Sequence, residues 1–121
     1  MASTKALTTP SNNVTLTAGA GDTTSSAVDL ADGYSAAAFI KLTNGATGPT
    51  IAPQVQVEVS PDNTNWYKLG GPLVGSVANS AVTSWTVPLP QDAKHVRTVA
   101  GSNTAQDVTL RVDVVETSAL A

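Results

Sequence analysis

The segment QVQVEVS, residues 54–60, places valine at every second position, with Gln54, Gln56 and Glu58 between Val55, Val57 and Val59. A period of two sends alternate side chains to opposite faces of an extended chain, so one face is apolar and the other wet. Residues 108–114, VTLRVDV, repeat the pattern, with Val108, Leu110, Val112 and Val114 on one side and Thr109, Arg111 and Asp113 on the other. β-Branched valines fit a pleated, half-buried surface better than a helix. Two such runs in 121 residues constrain the chain to stacked sheets.

The remaining segments agree. Residues 34–42 begin with helix-compatible alanines. They run into Phe39, Ile40, Lys41 and Leu42, with Ala38, Ile40 and Leu42 on one face, and stop at the turn pair Asn44-Gly45. A strand is therefore expected there. Residues 61–65, PDNTN, form a dense turn signal, because Pro61 presets φ and Asp62 and Asn63 bond their own backbone. Residues 66–69 then return as the second arm of a hairpin, closed by Gly70, Gly71 and Pro72. Further strands are expected at 13–17, 26–30, 82–89, 93–100 and 107–116. Pro88 and Pro90 place the end of the 82–89 strand at a sheet edge. Seven or eight strands with turns between them predict an all-β, two-sheet antiparallel sandwich, either jelly-roll-like or immunoglobulin-like. The sandwich is expected over 13–117, after a flexible N-terminal arm at 1–12 and before a short tail at 118–121. Leu7 and Pro10 are the arm's candidate partner-binding residues.

Composition narrows the function. Hydrophobic residues make up 41% of the chain, aromatic ones 4% and charged ones 12%, with a net charge of −3. Nothing in this balance attracts nucleic acid or anionic lipid. A surface of neutral hydroxyls and amides suits close protein contact, since few charges must be desolvated. There is no cysteine, which excludes disulfides, thiolate metal sites and cysteine nucleophiles. Residues 1–13 hold one lysine and no apolar run, and no stretch approaches a membrane-spanning length. Synthesis and use in a cytoplasm, without membrane or secretory targeting, is the expectation.

No catalytic constellation is visible. His95 is the one histidine, and no Gly-x-Ser-x-Gly elbow accompanies it. The aspartates fall mostly at turns, where local hydrogen bonding favours them. The glycines form no phosphate loop, and the 61–65 turn lacks the ligands of a calcium loop. No enzyme activity, metal or cofactor is expected. Lys94, His95 and Arg97 read as a solvated strand end. Of the aromatics, Trp85 is expected to fill the core. Trp66 and Tyr67, beside Asp62 and Asn65, are candidates for a partner contact or, alternatively, a sugar-stacking platform.

The segment 55–67, VQVEVSPDNTNWY, resembles the strand–turn–strand of small β-sandwich virion proteins of tailed bacteriophages. So does the closing pair, AKHVRTVAGSNT at 93–104 followed by VTLRVDV at 108–114. The resemblance covers roughly the C-terminal half and implies a head decoration, or cement, protein. Such proteins are commonly trimeric and bridge neighbouring capsomers on the assembled shell. The implied partners are thus the major capsid protein and further copies of the chain, in a virion assembled in a host bacterial cytoplasm. No family motif assigns binding residues here. A phage tail, neck or head-fibre component and a carbohydrate-binding module are the alternatives.

Overall fold

A computed structural model describes residues 4–30 and 35–118, all of them in strands or in the turns and loops between strands. The strands are β1 (Thr4–Leu16), β2 (Thr23–Thr24), β3 (Val28–Asp29), β4 (Ser35–Asn44) and β5 (Gln54–Ser60). They continue with β6 (Tyr67–Lys68), β7 (Leu73–Val74), β8 (Val82–Leu89), β9 (His95–Gly101) and β10 (Val108–Ser118). All pairings are antiparallel, and together they form two sheets. One is four-stranded in the order β1-β10-β4-β8; the other centres on β9 and β5, with β2 and β3 along β9 and β6 and β7 along β5.

The pairing is nested. The first strand lies against the last, β2 and β3 against β9, β4 against β8, and β5 against β6 and β7. A long hairpin rolled up on itself gives this order, which is the jelly roll. In an immunoglobulin sandwich the first strand does not lie beside the last in this way, so the topology selects between the two expected architectures.

The valine alternation becomes the core as anticipated. Val55 and Val57 from β5 meet Val96 and Ala100 from β9. Across the sandwich they face Ile40 and Leu42 from β4 and Leu110, Val112 and Val114 from β10, all at most 2% exposed. The expected edge position of 82–89 holds, since β8 ends its sheet. Two short strands, β2 and β7, were not legible in the sequence; pairs of residues carry no periodicity.

Buried amides close the ends of the sandwich. Asn44 Nδ2 donates to the carbonyls of Ser76 and Ala78, each at 2.8 Å, and ties the loop before β8 to the end of β4. Asn103 Nδ2 donates to the carbonyls of Leu16 and Gln106, each at 2.9 Å, and joins the end of β1 to the loop before β10. Neutral side chains satisfy these buried carbonyls without the cost of burying a charge.

Two expectations are corrected. From Thr4 onward the proposed arm is β1, paired with β10 from Thr4↔Ser118 to Leu16↔Val108. Residues 1–3 lie outside the described residues. Polar and proline-bearing residues gave the appearance of a tail because β1 is an edge strand with two register shifts, at Thr8/Ser11 and Ser11/Val14. Pro10 falls in the first shift and Asn13, with φ of 53°, in the second. Bulges and a proline without an N–H are the usual devices of an edge. Likewise the expected tail begins inside β10, which runs to Ser118, while 119–121 lie outside the described residues. Tyr34, expected to open the β4 strand, also lies outside them.

The second correction concerns Trp85. It points inward from β8 but is only half-buried, packed against the rim of an aliphatic core. An edge strand covers its inward side chains from one flank alone, so an edge tryptophan cannot fill the centre.

Candidate docking face

The outward face of the four-stranded sheet carries part of the apolar surface that the core leaves out. Because Ala38, Ile40 and Leu42 point inward, Ala37, Phe39 and Lys41 point outward. The ladder then aligns Leu7, Val115, Ala37 and Pro88 in one row across all four strands. Phe39 stands beside this row, paired with Asp113 and Thr86. Leu7 is 64% exposed and Phe39 43%. An open depression of about 400 Å³, floored by Ala37, Val115 and Pro88, lies on one side of the Phe39 ring. A second, of about 320 Å³, lies on the other side and is edged by Lys41, Ser84, Thr86, Arg111 and Asp113. A contiguous apolar row with an aromatic side chain standing out of it is the makeup of a protein contact surface.

The charged end of this face is tied together by an ion pair and hydrogen bonds. Arg111 Nε reaches Asp113 Oδ2 at 3.0 Å, two residues along the same face of β10. The bulges of β1 bring its side chains over this pair: Thr9 Oγ1 donates to Asp113 Oδ1 at 2.8 Å, and Arg111 Nη1 donates to Asn12 Oδ1 at 2.8 Å. Partial burial raises the Asp113 pKa, but the Thr9 hydroxyl, Arg111 and the more distant Lys41 together outweigh it. The carboxyl is therefore held below its ordinary value. The bulges thus position β1 side chains as well as interrupting its regular pairing.

The four residues expected to bind a partner separate. Leu7 lies on the docking face. Pro10 is half-buried in the β1 bulge, where its role is to shape the strand. Trp66 and Tyr67 part company: Trp66 precedes β6, Tyr67 opens it, and each meets different surroundings. Trp66 lies toward the outer face of the second sheet, with the Arg97 guanidinium 4.2 Å from its ring centroid. Tyr67, 59% exposed, lines an apolar hollow of about 220 Å³ with Val59, Pro61, Pro90 and Ala93 at one end of the sandwich. Arg97 also ion-pairs with Glu58, Nε to Oε1 at 2.8 Å, so this member of the expected solvated cluster is engaged. Phe39 was missed as a site residue. The signal was present, since a phenylalanine between two inward positions must face outward.

The ladder sets Asp29, His95 and Ser60 side by side across β3, β9 and β5. Ser60 is nevertheless 1% exposed and committed to the following turn. Its hydroxyl donates to Asp62 Oδ1 at 3.0 Å and accepts from the amides of Asp62 and Asn63. Asp62 in turn accepts from the amides of Asn65 and Thr64 and from the Asn65 side chain, which hold its carboxyl far below the ordinary carboxylate range. The sequence expectation of a locally bonded Asp62 is met. Among the described residues, no three His, Cys, Asp or Glu side chains gather as metal ligands would.

No family model matches the chain, and no curated protein matches it in sequence. Solved structures share its fold. The VP2 protein of infectious bursal disease virus, in a subviral particle, aligns over 96% of this chain and 33% of its own, with a TM-score of 0.59 and 9% identity. A family 16 carbohydrate-binding module aligns over 79% of this chain and 70% of its own, with a TM-score of 0.51 and 10% identity. The dimeric latent PorU of Porphyromonas gingivalis aligns over 96% of this chain and 13% of its own, with a TM-score of 0.54 and 11% identity. The chain thus spans about a third of the length of the VP2 chain. At these identities the likeness establishes the all-β sandwich fold alone.

Proposed function

We propose that the chain is a structural virion protein that docks on the outside of an assembled phage capsid and stabilises it, without catalysing a reaction. The observation that carries this reading is the outer face of the four-stranded sheet, where Leu7, Val115, Ala37 and Pro88 form a row beside Phe39. Burying such a row against a neighbouring protein contributes roughly 25 cal/mol per Å² of apolar area. The low charge of the chain keeps the accompanying desolvation small. The resemblance of 55–67 and 93–114 to phage virion proteins supports the same reading, as does a fold shared with a protein of viral particles. In this reading the partners are the major capsid protein and two further copies of the chain, with no nucleic acid or membrane. Assembly takes place in the host bacterial cytoplasm.

Electron microscopy of phage particles carrying the tagged chain tests the location. Density on the head lattice is expected, whereas density confined to tail, neck or head fibres overturns the assignment to the capsid surface. Heads assembled without the chain should lose their genome at lower temperature. Equal heat resistance removes the stabilising role.

A further inference from the structure

We propose that the outer face of the second sheet, opposite the docking face, carries a binding site for a neutral oligosaccharide laid along β5. Gln54, Gln56 and Glu58 project from this face at every second residue, roughly 7 Å apart, and all three are half-buried. With Lys68, Val99 and Ser102 they line a groove of about 330 Å³. Pro72 and Asp22 complete its lining. Along β5 the lined stretch covers roughly 14 Å, long enough for a short chain of sugar rings.

The hydrogen-bonding groups are only partly spent, which distinguishes the groove from a face whose side chains satisfy one another. The side-chain nitrogen of Gln56 donates to the carbonyls of Val57 and Gly70 at 3.0 and 3.1 Å, leaving its oxygen to accept. Glu58 gives one oxygen to Arg97 and keeps the other. Gln54 and Lys68 make no side-chain hydrogen bond or ion pair among the described residues, although Lys68 lies opposite Glu58 in the ladder. The row therefore offers an amide with donors and acceptor, an amide oxygen, a carboxylate oxygen and an ammonium. A polyol, which both donates and accepts at every hydroxyl, uses all of them. Val99 and Pro72 supply the small apolar surface against which the C–H face of a sugar ring rests.

Charge selects a neutral ligand. Arg97 neutralises Glu58, and Lys68 near one end is offset by Asp22 at the other. A phosphate or sulfate ester would find no cluster of cations here. Trp66 serves the site indirectly, since its ring holds Arg97, which fixes Glu58. This site differs from a Trp66–Tyr67 platform and uses neither ring as its stacking surface.

The probes are soluble hexamers of glucose, mannose and N-acetylglucosamine, titrated into the ¹⁵N-labelled protein up to about 10 mM, a range that reaches millimolar affinities. At least one hexamer should shift the amide and side-chain resonances of Gln54, Gln56, Lys68 and Ser102. The double variant Gln54→Ala, Lys68→Ala removes two side chains without internal bonds. It should weaken that binding at least about tenfold, which corresponds to losing one or two hydrogen bonds, with an unchanged melting temperature. Phe39→Ala should leave the binding intact, which separates this site from capsid docking. Three results overturn the proposal: no shift with any hexamer, shifts centred elsewhere, or full binding by the double variant. Tighter binding of a sulfated hexamer than of its neutral parent overturns the neutral class.

Discussion

Phe39 and Ile40 are neighbours in β4 with opposite duties, and substituting each by alanine separates docking from folding. Ile40 is 1% exposed and sits between Val112 and Trp85 in the sheet. Truncating such a residue removes transfer energy and leaves a cavity, costing about 3–4 kcal/mol. Phe39 is 43% exposed, so a little over half of its surface is already covered by the protein. Full burial of phenylalanine contributes about 1.5–3 kcal/mol. The covered share, less what alanine keeps, comes to about 1 kcal/mol. Unfolding entropy near 2.1 cal/mol/K per residue gives this chain roughly 0.25 kcal/mol/K, so each kcal/mol shifts Tm by about 4 °C. Ile40→Ala should therefore lower Tm by about 12–16 °C and Phe39→Ala by about 4 °C. Calorimetry reads both numbers. Co-sedimentation with heads lacking the chain reads docking, which Phe39→Ala should weaken by at least about tenfold, as expected of an aromatic anchor. An equal Tm loss for the two variants would show that Phe39 is a core residue. Undiminished sedimentation of the Phe39 variant would refute the docking face.

Three further expectations follow from the described contacts. Asp113 titrates below its ordinary value of 3.8 in the folded chain, so the stability it contributes is present above that value. This contribution is lost as pH falls through the folded value. Asp113→Asn should thus flatten the loss of stability below about pH 4, and a denaturation series from pH 5 to pH 2 showing no flattening counts against the Thr9–Asp113–Arg111 network. Deleting residues 1–12 should uncover Val112–Glu116 and speed exchange of those of their amides that face β1 at least about tenfold. Unchanged exchange after this deletion would restore the free arm. A Cβ at Gly48 would collide with the Val77 carbonyl, while one at Gly45 meets nothing within 4 Å. Gly48→Ala should cost about 1–3 kcal/mol and Gly45→Ala much less, as thermal melts would read.

Much of the fold was legible because it is local. The valine period assigned β5 and β10 and the side that each buries. The proline pair put β8 at an edge, and the residues after Ser60 made the turn that their side chains favour. The same alternation, applied to 38–42, already implied an outward Phe39. The row around that ring was not legible. Leu7, Ala37, Pro88 and Val115 come from four strands separated by up to 108 positions in the chain, counted from Leu7 to Val115, and no local pattern encodes which strands adjoin.

What the sequence determined by itself is thus the set of strands, their inward faces and the lack of concentrated charge, since each depends on side-chain period and chemistry alone. Tertiary structure decided that the first strand pairs with the last and that an apparent arm is an edge strand bent by two bulges. It also decided that apolar side chains from four strands meet on one open face. These depend on backbone hydrogen bonds between distant segments, whose donors and acceptors are the same for every residue except proline. Only closure of the whole sandwich selects among the possible pairings.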